Sequence, residues 1–224
     1  MNRREILAAA VFSPLLMGAL DAGNPVGTQG RTVKPLPFDP AKLKGLSAKL
    51  IVSHHDNNYA GAVKNLGKVE ADLERLTSEA PGYLLSGLRD RQLLFHNSMT
   101  FHEMYFANLG GDGKMSGALT KALPPRWEDA FRASALALSG GSGWVVLSLH
   151  CGTGELLITS SGNHTQAPAA GLPLLVCDLY EHAYALDYGA ATAKYVDAFF
   201  TNLNWAEVEG RYELALAALK GLRR

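Results

Sequence analysis

Imidazole is the side chain best able to hold a transition metal or move a proton near neutral pH, and the sequence carries seven histidines. The most informative segment is Asp178-Leu179-Tyr180-Glu181-His182. Its aspartate directly follows the apolar run from Leu172 to Cys177, a placement that is costly unless the carboxylate is paired or ligated. His182 comes four residues later. His102 lies on an apolar stripe with Phe95, Met99, Phe106 and Leu109, so its imidazole needs a buried partner. His54 and His55 are neighbours, and adjacent helical residues point about 100° apart, which predicts that only one of them faces the seam between two helices. Three imidazoles and one carboxylate make a donor set that suits iron or manganese. Satisfied core histidines in an ordinary fold would account for each residue taken singly. His96 is out of phase with His102 and reads as a surface residue, while His150 lies late in a strand and could face either way. Cys151 and Cys177 form no CxxC and cannot build a disulfide framework, so a metal must be held by histidine and carboxylate.

Two kinds of element must position these groups. Tyr59, Val63, Leu66, Val69, Leu73 and Leu76 recur at steps of three and four, which predicts a long amphipathic helix starting near Ser47 and closed by Ala80-Pro81-Gly82. A second helix is expected from about Asp90 to Leu109, stopped by Gly110-Gly111-Asp112-Gly113. Residues 41–109 therefore read as a helical hairpin domain, and the Gly-rich stretch ending in Pro124-Pro125 as its boundary. Residues 124–224 read as a mixed domain. A helix from Trp127 to Leu138 precedes strands at 144–151 and 155–160 around Gly152-Thr153-Gly154; a buried apolar strand at 172–177 and helices at 190–200 and 205–222 follow.

Composition sets further bounds. Over 224 residues, 47% are hydrophobic, enough for a substantial core, and 21 Lys+Arg balance 21 Asp+Glu. Without a basic field there is nothing to neutralise a run of phosphates, which argues against a nucleic-acid partner. Arg3-Arg4 precedes an apolar run from Ile6 to Leu20 that is broken by Pro14 and is shorter than the ~20 residues that span a bilayer. Residues 1–22 thus read as an export signal of the twin-arginine type, and 23–40 as an extended arm. The mature protein is expected in the periplasm or outside the cell, free of the membrane.

Several motifs, in order, resemble the iron/manganese superoxide dismutases: Val52-Ser53-His54-His55, Val63-Lys64-Asn65-Leu66, His102-Glu103-Met104-Tyr105-Phe106, Gly141-Ser142-Gly143-Trp144 and Asp178-Leu179-Tyr180-Glu181-His182-Ala183-Tyr184. Asn204-Trp205 and Arg211-Tyr212 fit the C-terminal end, so the likeness covers roughly residues 36–224. It implies an α+β fold with an N-terminal α-helical hairpin domain and a C-terminal α/β domain holding a three-stranded antiparallel sheet. It also implies an enzyme that disproportionates superoxide to oxygen and hydrogen peroxide. His54, His102, Asp178 and His182 would ligate one iron or manganese ion per chain, with solvent as the fifth ligand. Glu181 would reach across a homodimer to the ligand histidine of the other subunit, and His164 would hydrogen-bond the bound solvent. The alternative is a protein that keeps this fold and a metal but serves binding or assembly without dismutase activity.

The sequence also departs from the family pattern. Ala62 stands where the resemblance implies a tyrosine guarding the substrate funnel, and Asn58 where a histidine is common. Tyr59 is about 60° further round the helix than position 62 and is the candidate substitute. Ser98 replaces a glutamine of many iron enzymes, Tyr180 replaces a tryptophan, and histidine at position 164 points to iron.

Overall fold

The computed structural model describes residues 31–222. The expected export signal, residues 1–22, and the first part of the arm, 23–30, lie outside the described residues.

The rest of the arm has no regular structure until a 3-10 turn at Pro40–Lys42, and polar contacts strap it along the helices that follow. Arg31 donates from Nε and Nη2 to the two Glu70 oxygens at 3.0 and 2.8 Å. The Lys34 main chain donates its N–H to Tyr59 Oη at 3.0 Å and accepts from His55 Nε2 at 2.8 Å. Helix α1 (Ala48–Ser53) starts where Ser47 Oγ accepts the N–H of Leu50 at 3.1 Å, the standard satisfaction of an orphan helix donor. A π-helical segment, His54–Tyr59, follows at once, and α2 (Ala60–Arg75) continues from it. Helix α3 (Gly82–Ala107) packs back against α2.

The expected apolar stripes meet in this hairpin, since Val63 and Leu66 are buried with Met99, His102 and Phe106. Two expectations are corrected. The first long helix is interrupted by the π turn, and the second begins at Gly82, not near Asp90. The early turns of α3 leave Tyr83, Leu84 and Leu85 exposed, so no buried stripe marks them in the sequence.

Short α4 (Leu119–Ala122) and α5 (Trp127–Ala137) lead into strands β1 (Trp144–His150), β2 (Leu156–Ser161) and β3 (Gly171–Asp178). The sheet is antiparallel throughout with β1 central, in the order β2-β1-β3. Trp144, at the start of β1, pairs with Ser161 on one side and Asp178 on the other. Gly143 precedes it at φ 147°, and a Cβ there would lie 1.9 Å from Ser161 O, so only glycine admits this approach. Helices α6 (Ala185–Tyr188), α7 (Thr192–Thr201) and α8 (Trp205–Leu222) complete the chain. Helices α3 and α8 pack on β3, and α5 packs on β1 and β2. The fold is thus the expected α+β arrangement, with one core cluster that joins Leu50, Ile51 and Tyr105 of the hairpin to Trp144, Val176 and Phe199 of the other half. Among the described residues no helix is long and apolar enough to cross a membrane.

Asn108, fully buried at the end of α3, fastens the halves together. Its Nδ2 donates to Val176 O of β3 at 2.8 Å, and its Oδ1 accepts from Arg211 Nη1 of α8 at 2.7 Å. Its main-chain O accepts from Asn204 N at 2.7 Å. Arg211 also donates to Leu174 O at 3.0 Å. The Asn108→Ala change removes the two side-chain bonds and leaves Val176 O without its buried donor, which is expected to cost about 2 kcal/mol. Urea unfolding of the metal-free protein measures this directly, and a midpoint equal to that of the unmodified chain would contradict it.

Candidate metal centre

The four expected ligands come from four places in the chain. His54 opens the π turn, His102 lies in the last turns of α3, Asp178 ends β3, and His182 sits in the 3-10 turn Glu181–Ala183. Folding brings them together, with one potential ligand atom from each inside a group whose members lie within 4.8 Å of one another. The centre of the group is a single oxygen. Asp178 Oδ2 lies 3.1 Å from His54 Nε2, 3.3 Å from His182 Nε2 and 3.6 Å from His102 Nε2.

The other two oxygens of Asp178 hold the residue still. Its Oδ1 accepts the N–H of Tyr180 at 2.8 Å, and its main-chain O accepts from Tyr195 Oη at 2.7 Å. His102 Nδ1 donates to Ser98 O, one turn earlier, at 2.6 Å. That bond places the proton on Nδ1 and leaves the lone pair of Nε2 facing the cluster, where this buried atom has no hydrogen-bond partner. His54 is wedged among the rings of His182, His102, Phe106 and Tyr105, at centroid distances of 4.7 to 5.1 Å.

Burial sets the protonation states. Desolvation, helped by the neighbouring His54, pushes His102 down to about 3, and desolvation also lowers His54. For Asp178 burial acts in the opposite direction, but the contacts with His182 and His54 outweigh it and hold the carboxyl below its ordinary range. Neutral imidazoles around an ionised carboxylate are the forms in which these groups bind metal. The convergence of three Nε2 atoms on one oxygen, with the Nε2 lone pair of His102 otherwise unused, fits a single cation of the iron or manganese class.

His164 lies beside this group. Its Nδ1 accepts the indole N–H of Trp144 at 2.9 Å, so the neutral ring carries its proton on Nε2. Asn97 Nδ2 donates to the His164 main-chain O at 2.7 Å and ties its loop to α3. The imidazole stacks on Tyr180 at 4.7 Å, and Tyr180 stacks on His182 at 5.3 Å. Trp144 thus fixes the tautomer of His164. The sequence shows the tryptophan in its motif but offers no signal for this role.

The remaining candidate residues take varied places. His55 is also buried, because the π turn lets it pack on Phe106 at 5.5 Å while its Nε2 reaches the arm; the expectation that only one of the two histidines faces the seam fails. His96 is exposed, and His150 is half-buried at the turn after β1, away from the cluster, with Nδ1 3.1 Å from Thr153 Oγ1. Ala62 is buried in α2. Tyr59, the candidate substitute for the missing phenol, has its hydroxyl occupied by Lys34 N and by Glu103 Oε1, to which it donates at 3.0 Å. Desolvation raises this phenol to about 12. Glu181 is exposed, and His182 is 26% exposed at its side chain.

Comparison with known proteins follows the same lines. The family model described as the C-terminal domain of iron/manganese superoxide dismutases matches residues 123–211. The chain is 44% identical over 191 residues to the "Superoxide dismutase [Fe]" of Cupriavidus metallidurans, covering 82% of this chain and 97% of the relative. It is 31% identical over 201 residues to the "Superoxide dismutase [Fe]" of Aquifex aeolicus, covering 82% and 92%. It is also 33% identical over 202 residues to the "Superoxide dismutase [Mn]" of Mycobacterium avium, covering 85% and 97%.

The buried histidines generate a prediction for the metal-free protein. His54 and His102 titrate below the ordinary histidine value of 6.5 when folded, so the unfolded chain binds more protons as the pH falls. The stability is fully present above pH 6.5 and is lost progressively as the pH falls from there towards about 3, the folded value of His102. Urea midpoints across this range are expected to decline, with a shallower decline for His102→Gln. A flat profile would show that the imidazoles are not held neutral.

Proposed function

We infer the reaction from the premise that the chain belongs to the iron/manganese superoxide dismutase family: it disproportionates superoxide to oxygen and hydrogen peroxide. The observation that carries this reading is the convergence of three imidazole Nε2 atoms on Asp178 Oδ2. His54, His102, Asp178 and His182 are the residues that would hold the metal. A bound iron or manganese ion would supply the one-electron redox chemistry that the exchange between two superoxide molecules needs. A chain that kept this fold only for binding or assembly would have no need for this buried donor set.

The protein supplies positioning and protons. His164, with its proton on Nε2, is the donor that would orient solvent in the pocket, and Trp144 keeps that proton in place. Such outer contacts govern how strongly ligands and bound solvent hold their protons. Tyr180 lies stacked between His164 and His182. Because the Tyr59 hydroxyl is committed to Lys34 and Glu103, it does not take over the gateway role at Ala62. His164 favours iron as the resident metal, and relatives named for iron and for manganese are both represented.

Glu181 is exposed, and its carboxylate makes no hydrogen bond or ion pair among the described residues, next to a partly exposed His182. These features support a homodimer in which Glu181 meets the His182 imidazole of the other subunit and orients it. The paired arginines ahead of the first apolar run support export to the periplasm or beyond; finding the full-length chain only in the cytosol would count against it.

Two measurements test the reading. Protein purified from its own cell is expected to hold one iron per chain and to turn over superoxide, with His102→Ala losing both; metal content unchanged in that variant would remove His102 from the ligand set. Sedimentation is expected to show a dimer that weakens in Glu181→Ala. A monomer at micromolar concentration would exclude the proposed contact.

A further inference from the structure

Dismutation leaves hydrogen peroxide beside a redox metal, and behind the ligands stand phenols for which the reaction has no use. Tyr105 is fully buried, its ring 5.1 Å from that of His54. Its hydroxyl shares a hydrogen bond of 3.2 Å with Tyr195, also fully buried, whose own O–H reaches Asp178 O at 2.7 Å. From Tyr195 the ring of Tyr188 lies 6.4 Å away. Tyr188 is half-buried at the surface and hydrogen-bonded to Gly45 O. Tyr184 stacks on Tyr195 at 5.2 Å and stays buried. A buried hydroxyl must find a partner, and Phe199, stacked parallel to Tyr105 at 6.0 Å, fills the same core without one. Packing alone therefore does not call for a phenol at 105, and the Tyr195 hydroxyl, which also holds Asp178, links that phenol to the outer tyrosines.

We infer that Tyr105, Tyr195 and Tyr188 form a ladder that carries oxidising equivalents from the metal centre to the protein surface, sparing the ligand histidines. The inference rests on the proposed redox activity of the site. Hydrogen peroxide becomes two waters by taking one electron from reduced iron and one from the Tyr105 phenol. The phenol's proton and one proton from solvent complete those waters, leaving a neutral phenoxyl radical. With the Tyr105 hydrogen gone, the Tyr195 hydroxyl turns from Asp178 O to the Tyr105 oxygen 3.2 Å away and passes its hydrogen atom across, which restores Tyr105 and moves the radical outward. Tyr188 then gives an electron to Tyr195 and releases its own proton to solvent, and one proton taken up from solvent restores the Tyr195 hydroxyl. An external thiol or phenol restores Tyr188 by donating a hydrogen atom.

The test treats iron-loaded protein with hydrogen peroxide in the presence of a nitroso spin trap and maps the labelled and oxidised peptides. Wild-type protein is expected to be labelled at Tyr188. In Tyr195→Phe that label is lost and oxidation moves to His54, His102 and Phe106. Tyr188→Phe, a surface change outside the site, is expected to keep superoxide turnover but to show more oxidation of the ligand histidines and faster loss of iron; this variant decides the matter if Tyr195→Phe does not fold. Equal labelling of Tyr188 with and without the Tyr195 hydroxyl, equal labelling in metal-free protein, or no added histidine oxidation in Tyr188→Phe would overturn the ladder. Superoxide turnover of the same wild-type sample judges the dismutase reading separately. Turnover without Tyr188 labelling sinks only the ladder, and labelling without turnover sinks only the dismutase reading.

Discussion

The structure depends on a carboxylate that has no exposure to water. An ionised Asp178 at the end of β3 is fully buried, and an isolated buried charge costs several kcal/mol even after the surroundings relax. Nothing in the sheet itself offsets that cost. Compensation comes from Tyr180 N–H, from His182 one turn further on, and from His54 in the helical hairpin. The strand therefore cannot bury its last residue favourably unless the hairpin docks, and the hairpin cannot place the His54 imidazole in a dry seam unless the strand presents an acceptor. A metal ion added to this arrangement would bind the assembled form, stabilising the fold in proportion to its affinity.

The remaining contacts between the halves hold the ligands in register. Asn108 and Arg211 lock the end of α3 to β3 and α8, only one turn and a half beyond His102. Ser47 is gripped by the Asp187 carboxylate at 2.7 Å through both its N–H and its hydroxyl, which fixes the start of the segment that carries His54. On the opposite side, Gly143 lets β1 begin tightly enough for Trp144 to lie against both His102 and His164. The elements that carry His54, His102 and Asp178 are thus held in place by hydrogen bonds between distant parts of the chain, a condition that helps a site keep its geometry without metal.

Much of this was legible in residue order, and the gaps have physical causes. Hydrophobic spacing located the seam of the hairpin because Val63, Leu66, Met99 and Phe106 are there to be buried. It missed the π turn, since a widened turn changes which hydrogen bonds form without changing which residues are apolar. It also missed the start of α3, where Tyr83 to Leu85 face water and obey no stripe. Asp178 and His182 were legible because a charge after an apolar strand demands a partner. The indole of Trp144 holding His164, and the arm holding Tyr59, join residues 20 and 25 positions apart; such pairings exist only once the chain has folded.

The two tyrosines that stand near the ligands in unexpected places show why the ligands of such a site are constrained more tightly than the aromatic rings around them. Moving His54 by one helical position would leave the fully buried Asp178 Oδ2 short of a partner, with the penalty of an unpaired buried charge. A phenol beside the cluster faces a milder test. Tyr59 can turn its hydroxyl away to the arm and Glu103, and Tyr180 can stack flat between two imidazoles, because each finds a low-energy setting without disturbing the cluster. Ala62, meanwhile, leaves its face of α2 free of any polar demand. These surrounding positions can therefore change while the charge balance around Asp178 stays the same, which separates the residues that decide whether the cluster forms from those that only surround it.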